Sequence, residues 1–194
     1  MIRRSAVTLL VLLHAGALFA EQQWIIDPKH SDVSFRIRHL MSNVTGRFTR
    51  FSGTVIQDDE IEASRVELVI EAASIDTNEP RRDEDLRSSD FFDVRKHPKI
   101  TFKSSKITKV SDERFEVAGM LTMRGVIKPI VLPVTFLGFA RDPFSGVRRA
   151  GFEMGTTINR KDFGIDWNQV LDTGGVLLSD EVVVTISLQA TESK

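Results

Sequence analysis

The chain has 194 residues, with 26 Lys and Arg against 27 Asp and Glu, a formal charge of −1, and no cysteine. The missing thiol excludes disulfides, thiol catalysis, covalent haem attachment and cysteine-based metal sites. Basic residues are spread evenly instead of striped among aromatics, so no nucleic-acid partner is expected, and the length suits one domain with a substantial core.

The first element is Arg3-Arg4 followed by AVTLLVLLHAGALFA, Ala6 to Ala20. A basic start, a short apolar run and small residues at Ala15, Ala17 and Ala20 predict a cleaved secretory signal peptide. The run is shorter than the ~20 residues of a spanning helix, so a retained anchor is the weaker reading. Cleavage after Ala20 leaves 21–194 as a single domain, removes Arg3 and Arg4, and takes the net charge from −1 to −3. The expected localisation is the periplasm of a bacterium.

From there the dominant pattern is alternation with period two, the signature of half-buried strands. Asp32 to Leu40 (DVSFRIRHL) places Val33, Phe35, Ile37 and His39 on one face and Ser34, Arg36 and Arg38 on the other. The turn signal Gln57-Asp58-Asp59-Glu60 precedes a second alternating run, Ser64 to Glu71, with Val66, Leu68 and Ile70. Next comes RRDEDLRSSDFF, Arg81 to Phe92, whose first ten residues hold seven charges. Asn78 as N-cap and Pro80 in the first turn predict a short helix over Pro80 to Ser89. Arg81, Arg82 and Arg87 are expected to pair with Asp83, Glu84, Asp85 and Asp90 at the surface, while Phe91 and Phe92 anchor the segment.

Further strands follow at Ile100 and Phe102, and at Phe115, Val117, Gly119 and Leu121. Val126 to Phe139 is apolar on both faces, which predicts a strand covered on both sides, with Ile130, Leu132, Val134 and Phe136 opposed by Val131, Leu137 and Phe139. Pro129 and Pro133 within it imply an edge or a bulge. After Asp142 to Gly146 and a turn or short helix over Asn159 to Leu171, the last strand carries Val182, Val184, Ile186 and Leu188. About eight antiparallel strands at this spacing predict a sandwich or barrel. Glycines in or beside the strands favour the barrel, which needs sharp bends to close. The residues alone therefore predict an all-β fold, a barrel in preference to a sandwich, with one or two short helices.

Catalytic signals are sparse. His30 and His39 are nine apart, and His39 shares a face with Phe35 and Ile37, which reads as a core or rim histidine. His97 lies in a loop. The carboxylates around 83–93 stand among arginines that keep them ionised, the opposite of what a general acid needs. No GxSxG, HExxH, P-loop or GxGxxG is present. What is abundant is apolar surface: 13 Phe and no Tyr. Tyr is common where rings meet water. An eight-stranded barrel either fills with side chains or holds one small ligand.

The segments WIIDPKHSDVSFRIRHLMSNVTGRFTRFSGTV (24–55), ASIDTNEPRRDEDLRSSDFFDVRKHPKITFKSS (73–105), GMLTMRGVIKPIVLPVTF (119–136) and INRKDFGIDW (158–167) closely resemble the YceI-like family of exported bacterial polyisoprenoid-binding proteins. The most specific parts are Asp27, His30, Ser31, Val33 and Phe35; the run Leu86 to Asp93; and Asn159 to Gly164. The resemblance implies an all-β fold in the form of an extended eight-stranded antiparallel barrel of lipocalin-like type carrying a long polyisoprenoid tail in its lumen, a binding or transport role, and often a homodimer. Relatives commonly carry His before Leu-Arg-Ser where this chain has Asp85, which leaves headgroup preference open.

The expected function is a periplasmic carrier for a polyprenyl phosphate or quinone precursor, with no cofactor beyond the bound isoprenoid lipid and no enzymatic activity. Its expected contacts beyond the lipid are transient, with a membrane surface or lipid enzymes. Alternation assigns the lumen contacts to Phe35, Ile37, Leu68, Phe102, Leu121, Val134, Phe136, Phe152 and Met154, to which His39, Phe91 and Phe92 are added. Two other readings stand beside it: an enzyme acting on a bound isoprenoid through His39 or a carboxylate at the mouth, and an interaction module with a filled barrel.

Overall fold

A computed structural model describes residues 21–193 apart from Thr173, and the expected signal peptide lies outside the described residues. The strands are β1 (Gln22–Ile26), β2 (Asp32–His39), β3 (Ser42–Phe48), β4 (Phe51–Gln57), β5 (Arg65–Glu71), β6 (Ile75–Asp76), β7 (Lys99–Lys109), β8 (Arg114–Met123), β9 (Val126–Arg141), β10 (Arg148–Asn159) and β11 (Leu178–Glu192). Helix α1 spans Pro80–Arg87.

Three pairs of these are halves of one long strand. A 3₁₀ turn at Pro28–His30 divides β1 from β2, Thr49 and Arg50 separate β3 from β4, and a 3₁₀ turn at Ala72–Ser74 divides β5 from β6. Counted this way, eight long strands pair antiparallel around a closed ring. β1 joins β4 on one side and the end of β11 on the other, through Trp24 opposite Glu192 and Ile26 opposite Ala190. Closure gives every long strand a partner on both sides over at least part of its length, which is how barrels limit edge-to-edge aggregation.

The alternation seen in the sequence is what aims one side of each strand inward. Leu68, Ile70, Ile100, Phe102, Val117, Leu132, Val134, Ile186 and Leu188 all belong to one buried cluster. Two glycines make room for rings lying against the wall. A Cβ at Gly46 would stand 2.5 Å from the Phe35 ring, and one at Gly119 would stand 2.6 Å from the Phe102 ring.

Strand β9 departs from expectation in two ways. Its outer face is not covered: Ile127, Val131 and Leu137 are 58%, 55% and 57% exposed. Its apolar character there is unexplained by packing within the chain. Nor is Phe139 opposed to Phe136. Phe136 stands opposite Phe152, but Gly138 stands opposite Gly151 and Phe139 opposite Ala150. Leu137 is the extra residue of a bulge, Gly138 beside it has φ +100, and both phenylalanines end on the inner side. Pro129 and Pro133 meet the edge expectation: β10 pairs only from Val134 onward, so the first half of β9 has β8 alone as a neighbour.

Helix α1 starts at Pro80 as expected and ends at Arg87, two residues short of Ser89, but its cap lies one residue after Asn78. Asn78 adopts a left-handed conformation (φ 61), and Glu79 is the N-cap, its carboxylate accepting from the N–H groups of Arg81 and Arg82. The expected ion pairs of the charged run do not form. Arg82 donates to the hydroxyl and carbonyl oxygens of Thr77, and Arg87 donates to the carbonyls of Ala73 and Ile75. Asp83 is buried and accepts from the Thr77 N–H and hydroxyl at 2.9 and 2.6 Å. β6 is only two residues long, set between the 3₁₀ turn and Thr77, and the guanidinium groups satisfy carbonyls before, within and just after it. The second expected helix is a 3₁₀ turn, Arg160–Phe163, ended by Gly164 in the left-handed region.

Candidate functional site

The inner faces of the strands do not meet. They enclose a cavity of about 780 Å³, within the roughly 300–1,000 Å³ of ordinary ligand pockets. Strand β10 measures its length, because Ala150, Phe152, Met154, Thr156, Ile158 and Arg160 all line it. Ten residues at ~3.3 Å each, tilted ~40° as barrel strands are, span about 25 Å along the axis.

All twelve residues assigned to the lumen from sequence border this cavity: Phe35, Ile37, His39, Leu68, Phe91, Phe92, Phe102, Leu121, Val134, Phe136, Phe152 and Met154. Other lining residues were not singled out, among them Trp24, Phe48, Phe115, Ile130 and Phe139. Phe115 and Ile130 follow from alternation already read on β8 and β9. Phe139 does not, because the bulge reverses its side. Trp24 sits on a strand too short for its period to be read.

Each end of the cavity has its own chemistry. At the end formed by the β4–β5, β7–β8 and β9–β10 turns, aromatic rings converge. Trp24 stacks on Phe139 at 5.2 Å, Phe139 meets Phe136 edge-on at 4.9 Å, and the Arg148 guanidinium lies 4.1 Å above Phe139. The polar groups here are already partnered. Gln57 accepts from the Trp24 indole N–H at 3.1 Å, and Asp112 pairs with Lys109 at 2.9 Å.

The opposite end is built by the β2–β3 turn, the α1 segment and the β10–β11 connection. His39, Arg82, Asp85, Ser88, Asp90, Arg160, Trp167, Leu177 and Leu178 line it. Phe92 meets Phe48 edge-on at 5.8 Å and Phe91 packs on Trp167 at 5.3 Å, so the two rings pin the charged segment across the barrel end. Arg124 ties this segment to the β10–β11 connection by donating to the carbonyls of Gly164 and Ser89.

Arg160 is the one buried cation in the wall among the described residues. Its guanidinium donates to the carbonyls of Ile165 (2.6 Å), Trp167 (2.8 Å) and Ser179 (3.0 Å) and faces Asp180 at 3.5 Å. Burial pulls its pKa below the ordinary guanidinium range, against the opposing pull of Asp180 and Asp166. It staples the chain after β10 to the start of β11.

The Asp27, His30 and Ser31 motif is not part of the cavity. It lies at the break between β1 and β2, where Asp27 accepts from His30 Nδ1 at 2.8 Å and from Arg149 at 2.9 Å. Ser31 accepts from the Gln189 N–H at 2.9 Å. These bonds hold the kink that lets one strand serve both halves of the barrel. Most of the cavity wall is apolar. Its physical capacity is to take a long apolar molecule out of water, which stabilises a complex by about 0.8 kcal/mol per CH₂.

Comparison with known proteins agrees with this architecture. A UPF0312 protein of Azotobacter vinelandii is 41% identical over 158 residues, covering 79% of this chain and 81% of that protein. The crystal structure of BcnA from Burkholderia cenocepacia superposes with a TM-score of 0.75 at 26% identity, over 86% of this chain and 99% of that one. A polyisoprenoid binding domain from Saccharophagus degradans, implicated in plant cell wall breakdown, shares the fold at 18% identity and a TM-score of 0.66, over 88% of this chain and 98% of that one. The YceI-like domain itself is matched across residues 24–190, nearly the whole described barrel, and the chain belongs to that family.

Proposed function

We propose that this protein binds a long-chain isoprenoid lipid in its barrel and carries it through the periplasm, to which residues 1–20 would direct the chain. The observation that carries the reading is the continuous cavity of about 780 Å³, walled by aliphatic and phenylalanine side chains along its length. The twelve residues assigned from sequence supply the contacts, with Phe48, Phe115 and Phe139 added. The polyisoprenoid-binding domain of Saccharophagus degradans, which shares the fold, supports the ligand class. An open lumen also counts against the filled-barrel reading.

The test is extraction of the purified protein with organic solvent followed by mass spectrometry. A long-chain isoprenoid is expected in stoichiometric amount, and stripped protein is expected to take up added polyprenol. An extract free of such lipid, together with no uptake, would reject the proposal.

A further inference from the structure

The β2–β3 hairpin turns through Leu40 and Met41, with His39 paired to Ser42 across it. The first central position of such a turn suits Gly, and Asn or Gly are the usual residues of tight hairpins. Here Leu40 occupies it with φ +51, a conformation in which a branched apolar residue is strained. Leu40 is nearly half exposed and Met41 is fully exposed. An apolar pair is thus held on the tip where backbone chemistry asks for small polar residues.

A second apolar tip stands beside it. Val170 bridges to Val176, and Leu177 receives a hydrogen bond at its carbonyl from the Leu40 N–H at 2.9 Å. Val170 is 76% exposed and Val176 is also exposed. Between the tips, His39, Leu177 and Leu178 line the end of the cavity.

Two arginines stand on the flank of this end. Arg36, Arg38 and Val176 border one shallow surface depression. Asp180 in it is engaged by Arg160 and Lys161, and neither Arg36 nor Arg38 forms an ion pair among the described residues. Glu181 shares the depression, and Asp172 is the acid of the Val170–Val176 hairpin, so two unpaired guanidinium groups remain next to the apolar tips.

We infer that the barrel end carrying Leu40, Met41, Val170 and Val176 docks on an anionic phospholipid bilayer and is the end through which lipid enters and leaves. This rests on the lipid-binding reading and adds where and how loading occurs. The apolar tips enter the interfacial layer while Arg36 and Arg38 face the phosphates, the arrangement of interfacial anchors generally. Continuity between the docked end and the cavity lets an isoprenoid tail pass from bilayer to lumen without crossing water.

The experiment uses protein recovered after export, its N-terminus read by mass spectrometry, and vesicles of phosphatidylethanolamine and phosphatidylglycerol holding a fluorescent polyprenol. Transfer to wild-type protein is expected to accelerate with vesicle concentration and to slow with salt. Leu40→Asn combined with Met41→Gly is expected to keep or raise the melting temperature, because it relieves the turn. Its transfer rate should fall by about a hundredfold or more, the factor that losing two buried apolar side chains implies. Affinity for polyprenol presented in detergent should not change. Arg36→Gln with Arg38→Gln should slow transfer from anionic vesicles and leave transfer from purely zwitterionic ones unaltered. Unchanged transfer in the turn variant overturns the docking inference while leaving lipid binding intact, as does a wild-type rate independent of vesicle concentration. Absence of binding in detergent overturns lipid binding itself, and docking with it.

Discussion

Arg160 is the residue on which the lower wall most depends. Its guanidinium is buried and serves three carbonyl oxygens from two separate stretches of chain. Replacing it with Leu would leave those oxygens without donors, and hydrogen bonds to charged groups are individually worth about 1.5–3 kcal/mol. Arg160→Leu is therefore expected to destabilise by about 3 kcal/mol or more, read as a lower urea midpoint with unchanged slope. A second residue-scale network sits on the outside, where Arg149 bridges Asp27 and Asp142. The N–H of Ser145, its hydroxyl and the N–H of Phe144 hold the Asp142 carboxyl down at about 2, from an ordinary 3.8. Asp27 is also lowered: burial pushes it up, but His30, the Lys29 N–H and Arg149 together outweigh that. Both folded-state values lie below the ordinary one, so their contribution is present above pH 3.8 and is lost as pH falls toward 2. Melting temperature should accordingly drop between pH 4 and about 2, and Asp142→Asn should flatten that drop while lowering stability at pH 7.

Among the elements, the α1 segment shows what could and could not be read from sequence. Phe91 and Phe92 were legible as an anchor because two large apolar residues ending a charged run must go somewhere dry. The destination of the arginines was not legible, since nothing local says that Thr77, Ala73 and Ile75 offer oxygens to them; that depends on the 3₁₀ turn and the two-residue β6 standing next to α1. Replacing both phenylalanines with Ser removes the contacts to Phe48 and Trp167. The expected outcome is faster tryptic cleavage at Arg81, Arg82 and Arg87 and faster ligand loss. Cleavage and retention equal to wild type would show that the guanidinium–carbonyl bonds alone hold the segment. Strand β9 gives the complementary lesson. Period-two alternation put Val134 and Phe136 inside correctly, and it failed at Phe139 because a single bulged residue reverses every side chain beyond it. Each of the breaks in β1–β2, β3–β4 and β5–β6 likewise shifts the inward set from even to odd positions, from Trp24 to Val33, from Phe48 to Val55 and from Ile70 to Ile75, so alternation read in one half does not carry into the next.

At the scale of the molecule, closure and cavity follow from the same arithmetic. Eight strands give an interior that side chains can just fill or just leave open, and sequence alone could not choose between these outcomes. The choice lies in how the inward set is distributed: Gly46 and Gly119 let the rings of Phe35 and Phe102 lie back against the wall, keeping bulk off the axis. Reversing that choice should separate fold from function. Ile130 and Val184 line the cavity from two walls and are half-buried, so Ile130→Phe with Val184→Phe places added bulk in empty space instead of in a packed core, where overpacking would cost 1–3 kcal/mol. The ligand-free variant is expected to melt at or slightly above the wild-type temperature, since new ring contacts replace void. A ligand that binds only the native state at a hundred times its Kd stabilises by about 2.7 kcal/mol. Wild-type protein should show that gain as a rise in melting temperature on adding polyprenol, and the filled variant should show none. Equal rises in both proteins would mean that the lipid binds outside the barrel.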